Sequence, residues 1–241
     1  MAFDYETSTA PFFRVGGAAP AVFQLHQVGD DSFAVMESFE YRRDGAGPEL
    51  VDRNHLAGTN LASIPSWLGW FMRRHGRHTA AALMHDDLVR EGRPPPAPFP
   101  KRLEYDQRFR DALLASGVKP VKAGLMWAAV TWASRHHAPR QAALLDLWLL
   151  AAFAGMGLLA FGGYTADPVL IVVALLAPIP AAAFWGRQFH AAVIAGYALP
   201  VVLLGSVPAM VAYYLYWVVE GVYGLAVQRD DATAPPRWDK R

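Results

Sequence analysis

The chain has 241 residues, 54% of them apolar, no cysteine, and 22 basic against 21 acidic side chains for a formal charge of +1. The apolar content excludes a disordered chain, the missing cysteines exclude a disulfide scaffold, and the lack of a basic excess argues against nucleic-acid binding. Absence of cysteine leaves the redox compartment open. The averages conceal an asymmetry: 32 charged residues lie in positions 1–140, and only Asp146, Asp167, Arg187 and Glu220 fall between Ala142 and Gln228. The pattern divides the chain into a polar domain, 1–138, an apolar section, 139–228, and a polar tail, 229–241.

In chain order, Met1–Glu6 offers neither a basic n-region nor an apolar h-region, so no cleaved secretory signal is expected. Residues 20–56 alternate like strands: 21–28, a turn at Asp30-Asp31, 32–41, a turn at 44–48, and a short third strand at 49–55, together a small antiparallel meander. From Ser63 the period becomes helical. Ser63 can cap a helix opening on Pro65, with Ile64, Trp67, Leu68 and Phe71 on one side. Further helices are predicted over 77–90, over 103–116 through Tyr105, Phe109, Ala112 and Leu113, and over 120–135 with Val121, Leu125, Ala128 and Trp132 inward. The proline-rich stretch 92–100 reads as an extended loop. The N-terminal half is thus α+β: a small antiparallel sheet followed by about four helices.

The apolar half reads as an α-helical transmembrane bundle. Residues 145–164 are long enough to cross a hydrocarbon core of about 30 Å. A second span is expected at 168–185, kinked by Pro178 and Pro180. The run from Phe189 to Val227 is too long for one crossing, and Gly205-Ser206-Val207-Pro208 supplies a break, giving spans at 189–204 and 209–227. Four spans place Arg135 and Arg140, Arg187, and Arg229, Arg237, Lys240 and Arg241 on one side, which the positive-inside rule makes cytoplasmic for both termini. Gly155, Gly157, Gly162 and Gly163 suit close helix packing. Glu220, a carboxylate within the last span, is either functional or an interfacial residue pairing with Arg187. His136 and His137, beside two arginines, suit either lipid phosphates or a solvated turn.

The residues most suggestive of chemistry are His85 and Asp86 on one helix and Asp106 on the next. With Asn60 or Ser63 nearby, they offer nitrogen and oxygen ligands for a divalent metal that would activate water. His78, seven residues before His85, falls on the same helix face. A purely structural alternative stands beside this: Asp106 can pair with Arg110, Ser63 can be a cap, and His85 can be held by Asp106 alone.

Gly58-Thr59-Asn60-Leu61-Ala62-Ser63-Ile64-Pro65, Ala81-Ala82-Leu83-Met84-His85-Asp86-Asp87-Leu88 and Tyr105-Asp106-Gln107-Arg108-Phe109 occur in the order of three boxes: Thr-Asp-Leu-Ala-Ser-Ile-Pro, His-Asp-Tyr-Leu and Ala-Asp-x-x-Phe. In this, residues 20–135 resemble domain-of-unknown-function family 1353, known from phage and bacterial genomes. The resemblance implies no established activity. The acid of the first box is replaced here by Asn60, a weaker ligand. The combined reading is an integral membrane protein in contact with the lipid bilayer, whose cytoplasmic domain serves binding or assembly, with a protein partner or a second copy as its ligand. A membrane-tethered, metal-dependent hydrolase using His85, Asp86 and Asp106 is the rival, and a small transporter built around Glu220 is a weaker third.

Overall fold

Two small antiparallel sheets, rather than one meander, form from the N-terminal alternation in this computed structural model, which describes residues 11–29, 32–43, 47–59, 76–89 and 97–226. Strand β1 (Phe12–Arg14) pairs with β4 (Phe39–Tyr41), which pairs with β5 (Glu49–Val51), in the register Phe12 to Tyr41 and Phe39 to Val51. Strand β2 (Leu25–Gln27) pairs with β3 (Phe33–Val35), and β3 with β6 (Ala57–Thr59). The expected 32–41 strand is therefore split between sheets. A bend at 36–38 separates its halves, and Ser38 Oγ there accepts from the Arg53 amide and donates to Asp52. Alternation places Phe12, Phe39, Tyr41 and Val51 inward, and Phe12 meets Phe39 edge-on at 5.8 Å.

Asp52 then caps a 3-10 turn, Arg53–Leu56, by accepting from the Asn54 amide at 2.9 Å. The turn buries Leu56 and leaves His55 half-exposed. Gly58 follows with φ 79°, a left-handed conformation suited to glycine, and separates exposed Ala57 from buried Thr59.

Helix α1 (Thr79–Val89) is buried almost all round and packs against α2, β5 and the 3-10 turn. Helix α2 (Phe99–Ala115) begins four residues before the expected start, inside the proline-rich stretch. Pro98 is its N-cap and Pro100 lies in the first turn, where a missing N–H costs no intrahelical bond. The expected 103–116 face is correct at Phe109, Ala112 and Leu113, and it continues through Arg102 and Asp106. Helix α3 (Pro120–His136) departs further: Val121 is 76% exposed and Trp132 38%, while Ala123, Trp127, Ala128, Thr131, Ser134 and Arg135 are buried. The helix turns a mixed face inward, where two of its buried polar side chains, Ser134 and Arg135, have partners on other elements. The helix expected after Ser63 lies outside the described residues, as do Asn60, the Asp30-Asp31 turn and the tail beyond Ala226.

In the apolar half, α4 (Pro139–Thr165) spans about 40 Å. The chain returns through α5 (Pro168–Leu176), α6 (Pro178–Ala181) and a 3-10 segment, Ala182–Gln188, broken where Pro178 and Pro180 were expected to kink it. Gly162 permits the α4–α5 contact: a Cβ there would lie 2.9 Å from Leu170 Cβ and 3.1 Å from the Ile171 nitrogen. Gly155 lies near Ala177, whereas Gly157 and Gly163 face open space. Helix α7 runs unbroken from Phe189 to Ala226, so the break expected at 205–208 does not occur, and Pro200 and Pro208 lie inside the helix. Two helical stretches, 139–165 and 168–225, are long and apolar enough to cross a membrane; the four separate spans of the sequence pattern are not resolved as such.

The chain divides into two compact units, one of residues 1–63 and 74–199, the other of 64–73 and 200–241. In the first, Trp127 and Ala128 of α3, Leu145 and Trp148 of α4, Trp185, and Ala191 and Ala192 of α7 share one core. The described part of the second is the α7 segment from Pro200 to Ala226, with exposed apolar side chains and an exposed Glu220.

Candidate functional site

The three consecutive residues His85, Asp86 and Asp87 leave α1 toward three different elements, because neighbours on a helix are about 100° apart. His85 Nε2 donates to Asp106 Oδ1 of α2 at 2.8 Å, with both side chains buried. Asp86 Oδ2 accepts from Thr59 Oγ1 of β6 at 3.2 Å. Asp87 Oδ1 accepts from His55 Nδ1 of the 3-10 turn at 2.7 Å. One short run thus ties a sheet, a turn and a second helix to α1. Arg108 adds a further tie from α2 to Glu49 of β5 at 3.0 Å.

Asp106 is the deepest member. It is fully buried, and the same Oδ1 that holds His85 accepts from Ser134 Oγ of α3 at 3.2 Å. The His85 ring lies 5.1 Å from Phe109, one turn beyond Asp106 on α2. Arg135, next to Ser134, supplies positive charge. Its guanidinium is buried, which pushes its pKa down to about 10, and the negative charge of Asp106 opposes that shift. At about 10 it remains charged at neutral pH, and it donates to Gln141 Oε1 at 2.7 Å, to the Trp185 carbonyl, and to Gln188 Oε1 at 3.1 Å. It also lies 4.9 Å over the Trp185 ring. Arg135 therefore joins α3 to both the start of α4 and the end of the returning segment.

The hydrogen bonds set proton positions on the two imidazoles. His85, bonded through Nε2, is enclosed. His55, bonded through Nδ1 to a buried carboxylate, keeps a side chain 41% exposed, and in its neutral form carries the free lone pair on Nε2. An imidazole oriented in this way by a carboxylate can accept a proton from a group in solvent.

Of the residues expected to form a metal site, the fold brings His85 to Asp106, while Asp86 bonds Thr59, and Asn60 lies outside the described residues. Among the described residues, no group of three or more His, Asp or Glu side chains is disposed to hold a metal ion. The hydrolytic cluster of His85, Asp86 and Asp106 is accordingly not assembled as a metal centre there: the His85 nitrogen facing Asp106 is used in hydrogen bonding. His78 is buried just before α1 and lies 3.3 Å from Lys122 Nζ. Asp106 lies on the inner face of α2, with its partners His85 and Ser134 on α1 and α3. His55, Asp87, Ser134 and the inward Arg135 were not singled out by spacing. A hint for Asp87 was available, since it continues the His85-Asp86 run.

Residues 33–130 match the family model described as Protein of unknown function (DUF1353). The match runs from β3 into α3, a narrower range than the resemblance over 20–135, and stops before the apolar half. It includes His55, Thr59, His85, Asp86, Asp87 and Asp106, whereas Ser134 and Arg135 lie just beyond it. No curated protein and no solved structure matches the chain.

Proposed function

We propose that this chain is an integral membrane protein whose N-terminal domain, fixed through Arg135 to the base of an apolar helical hairpin, serves binding or assembly at the cytoplasmic face. The observation that carries the reading is the exposure of large apolar side chains along helices long enough to cross a bilayer. Leu150 is 67% exposed, Phe161 57% and Leu204 78%. Apolar surface on that scale is covered in a working protein, and a lipid core suits helices apolar along their length. The polar hub supports a holding role: its carboxylates each have a partner in a neighbouring element, as in a rigid platform.

Alkaline carbonate extraction of membranes from expressing cells tests the central claim. The full chain is expected in the pellet, and release into the supernatant overturns the proposal. Helix α7 is unbroken and longer than one crossing needs, but its first turn packs at Ala191 and Ala192 with Trp127 of α3, so the remainder supports a third crossing after α4 and the returning segment, in place of four. External protease should then remove a C-terminal tag, and protection of the tag would return the count to four. For the binding role, cross-linking of the full chain in its native membrane should yield adducts mapped to residues 11–138, and their absence would count against it.

A further inference from the structure

The base of the hairpin carries a second polar feature that the hub does not use. Gln141 and Gln188 share the Arg135 guanidinium, which brings the first turn of α4 and the end of the returning segment to one place. Their neighbours Arg140 and Arg187 are exposed and have no ion pair among the described residues. Beside Arg140 lies a shallow, open hollow lined by Arg140, Gln141, Ala143 and Leu144. Its lining changes from a guanidinium and an amide to apolar side chains within one helical turn. Farther along α4 the exposed surface is wholly apolar at Leu147 and Leu150. The one acid of α4, Asp146, is six residues beyond Arg140 and so about 120° round the helix. The opposite end of the hairpin carries Asp167 and no basic residue.

We infer that this hollow binds the headgroup of an anionic phospholipid, with Arg140 on the phosphate, Gln141 donating beside it, and Ala143 and Leu144 against the first carbons of an acyl chain. Charge, shape and position agree on this occupant. An arginine offers paired donors to phosphate oxygens, the hollow is continuous with the lipid-compatible face, and cationic residues at one end of a hairpin meet the anionic leaflet. This inference rests on the membrane reading above and specifies one lipid contact within it.

The test titrates the detergent-solubilised full chain with dioleoylphosphatidylglycerol, dioleoylphosphatidylcholine or inorganic phosphate, following the melting temperature and counting retained lipid by native mass spectrometry. Phosphatidylglycerol should be retained and should raise the melting temperature, whereas phosphatidylcholine and inorganic phosphate should do neither. Arg140→Gln should weaken retention about fivefold, and Arg140→Gln with Arg187→Gln further, from the usual worth of one basic side chain near an anionic surface. Arg140→Lys should keep most of the preference. Both arginines are exposed, so the variants should melt like wild type without lipid, and a lower lipid-free melting point is corrected by comparing retention alone. Equal retention of the two lipids, a preference that survives the double substitution, or an equal effect of inorganic phosphate overturns the inference. A chain that resists carbonate extraction yet shows no lipid preference loses only this inference, whereas one released by carbonate loses the membrane reading.

Discussion

The family-matching region and the apolar hairpin are held together by different physics. In the first, α1 is fixed to its neighbours by directional polar contacts, His55 to Asp87, Thr59 to Asp86 and His85 to Asp106, each between groups that must find partners once out of water. In the second, α4 and α5 meet at Gly162 and the returning segment meets α7 at Gly196, where a Cβ would lie 2.9 Å from Pro178. There the contacts are between small residues and backbone, so close approach holds the helices together. The contrast shows how one chain can hold one region by paired polar groups and another by the fit of small residues against neighbouring backbone.

The largest effect should come from removing the charge at the centre of the polar region. Asp106→Ala leaves His85 and Ser134 without their acceptor and Arg135 without a nearby counter-charge, so unfolding of the full chain in detergent should be easier by about 3–5 kcal/mol. Asp106→Asn, which retains an acceptor and the packed volume but not the charge, should lose less, and equal losses would show that charge, not the acceptor or packing, holds the site. In the hairpin, Gly162→Val must displace the Leu170 side chain or the Ile171 backbone and should cost about 1–3 kcal/mol. A neutral result would mean that α4 and α5 are free to separate.

A smaller change has the opposite sign. Ala166 closes α4 with φ 54°, the left-handed region, and Ala166→Gly should stabilise the hairpin by about 1 kcal/mol in the same unfolding measurement. The smallest effect concerns acid. The Gly16 amide, and then Arg42, hold the Glu40 carboxyl below its usual pKa, so its contribution is present above the ordinary carboxylate range and lost as pH falls through the lowered value. The Asn54 amide does the same for Asp52. Stability measured against pH should therefore decline below the ordinary carboxylate range. Glu40→Gln should reduce that decline by lowering stability near neutral pH while leaving it nearly unchanged at acid pH, and an identical profile would remove Glu40 from the account.

Much of the architecture was legible because apolar spacing and proline placement report local structure. The three helices α1 to α3 fall close to the predicted ranges, and Asp167 and Pro168 start α5 where expected. The inward face of α3 was not legible: apolar periodicity pointed to Val121 and Trp132, whereas Ser134 and Arg135 are buried with partners on other elements. The length of α7 was misread for a related reason, since Pro200 and Pro208 act as breakers in water but can sit within an apolar helix. At the site, the His85-Asp86-Asp87 run was visible, but its division among three neighbours depends on tertiary placement. His55 ends a segment whose pattern announced only strand, whereas Thr59 belongs to the first family box, in which Asn60 and Ser63 were the residues singled out. The exposed histidine therefore had no local signature.

Arg135 also sets a timetable for synthesis. Its acceptors at Trp185 and Gln188 lie 50 and 53 residues farther along the chain. At ordinary translation speeds they leave the ribosome roughly 3–10 s after Arg135 does. During that interval the nascent domain holds an arginine whose final resting place has not been made. The Arg135 contacts can form only after α4 and the returning segment have been made, so the N-terminal fold is completed by the apolar half that follows it.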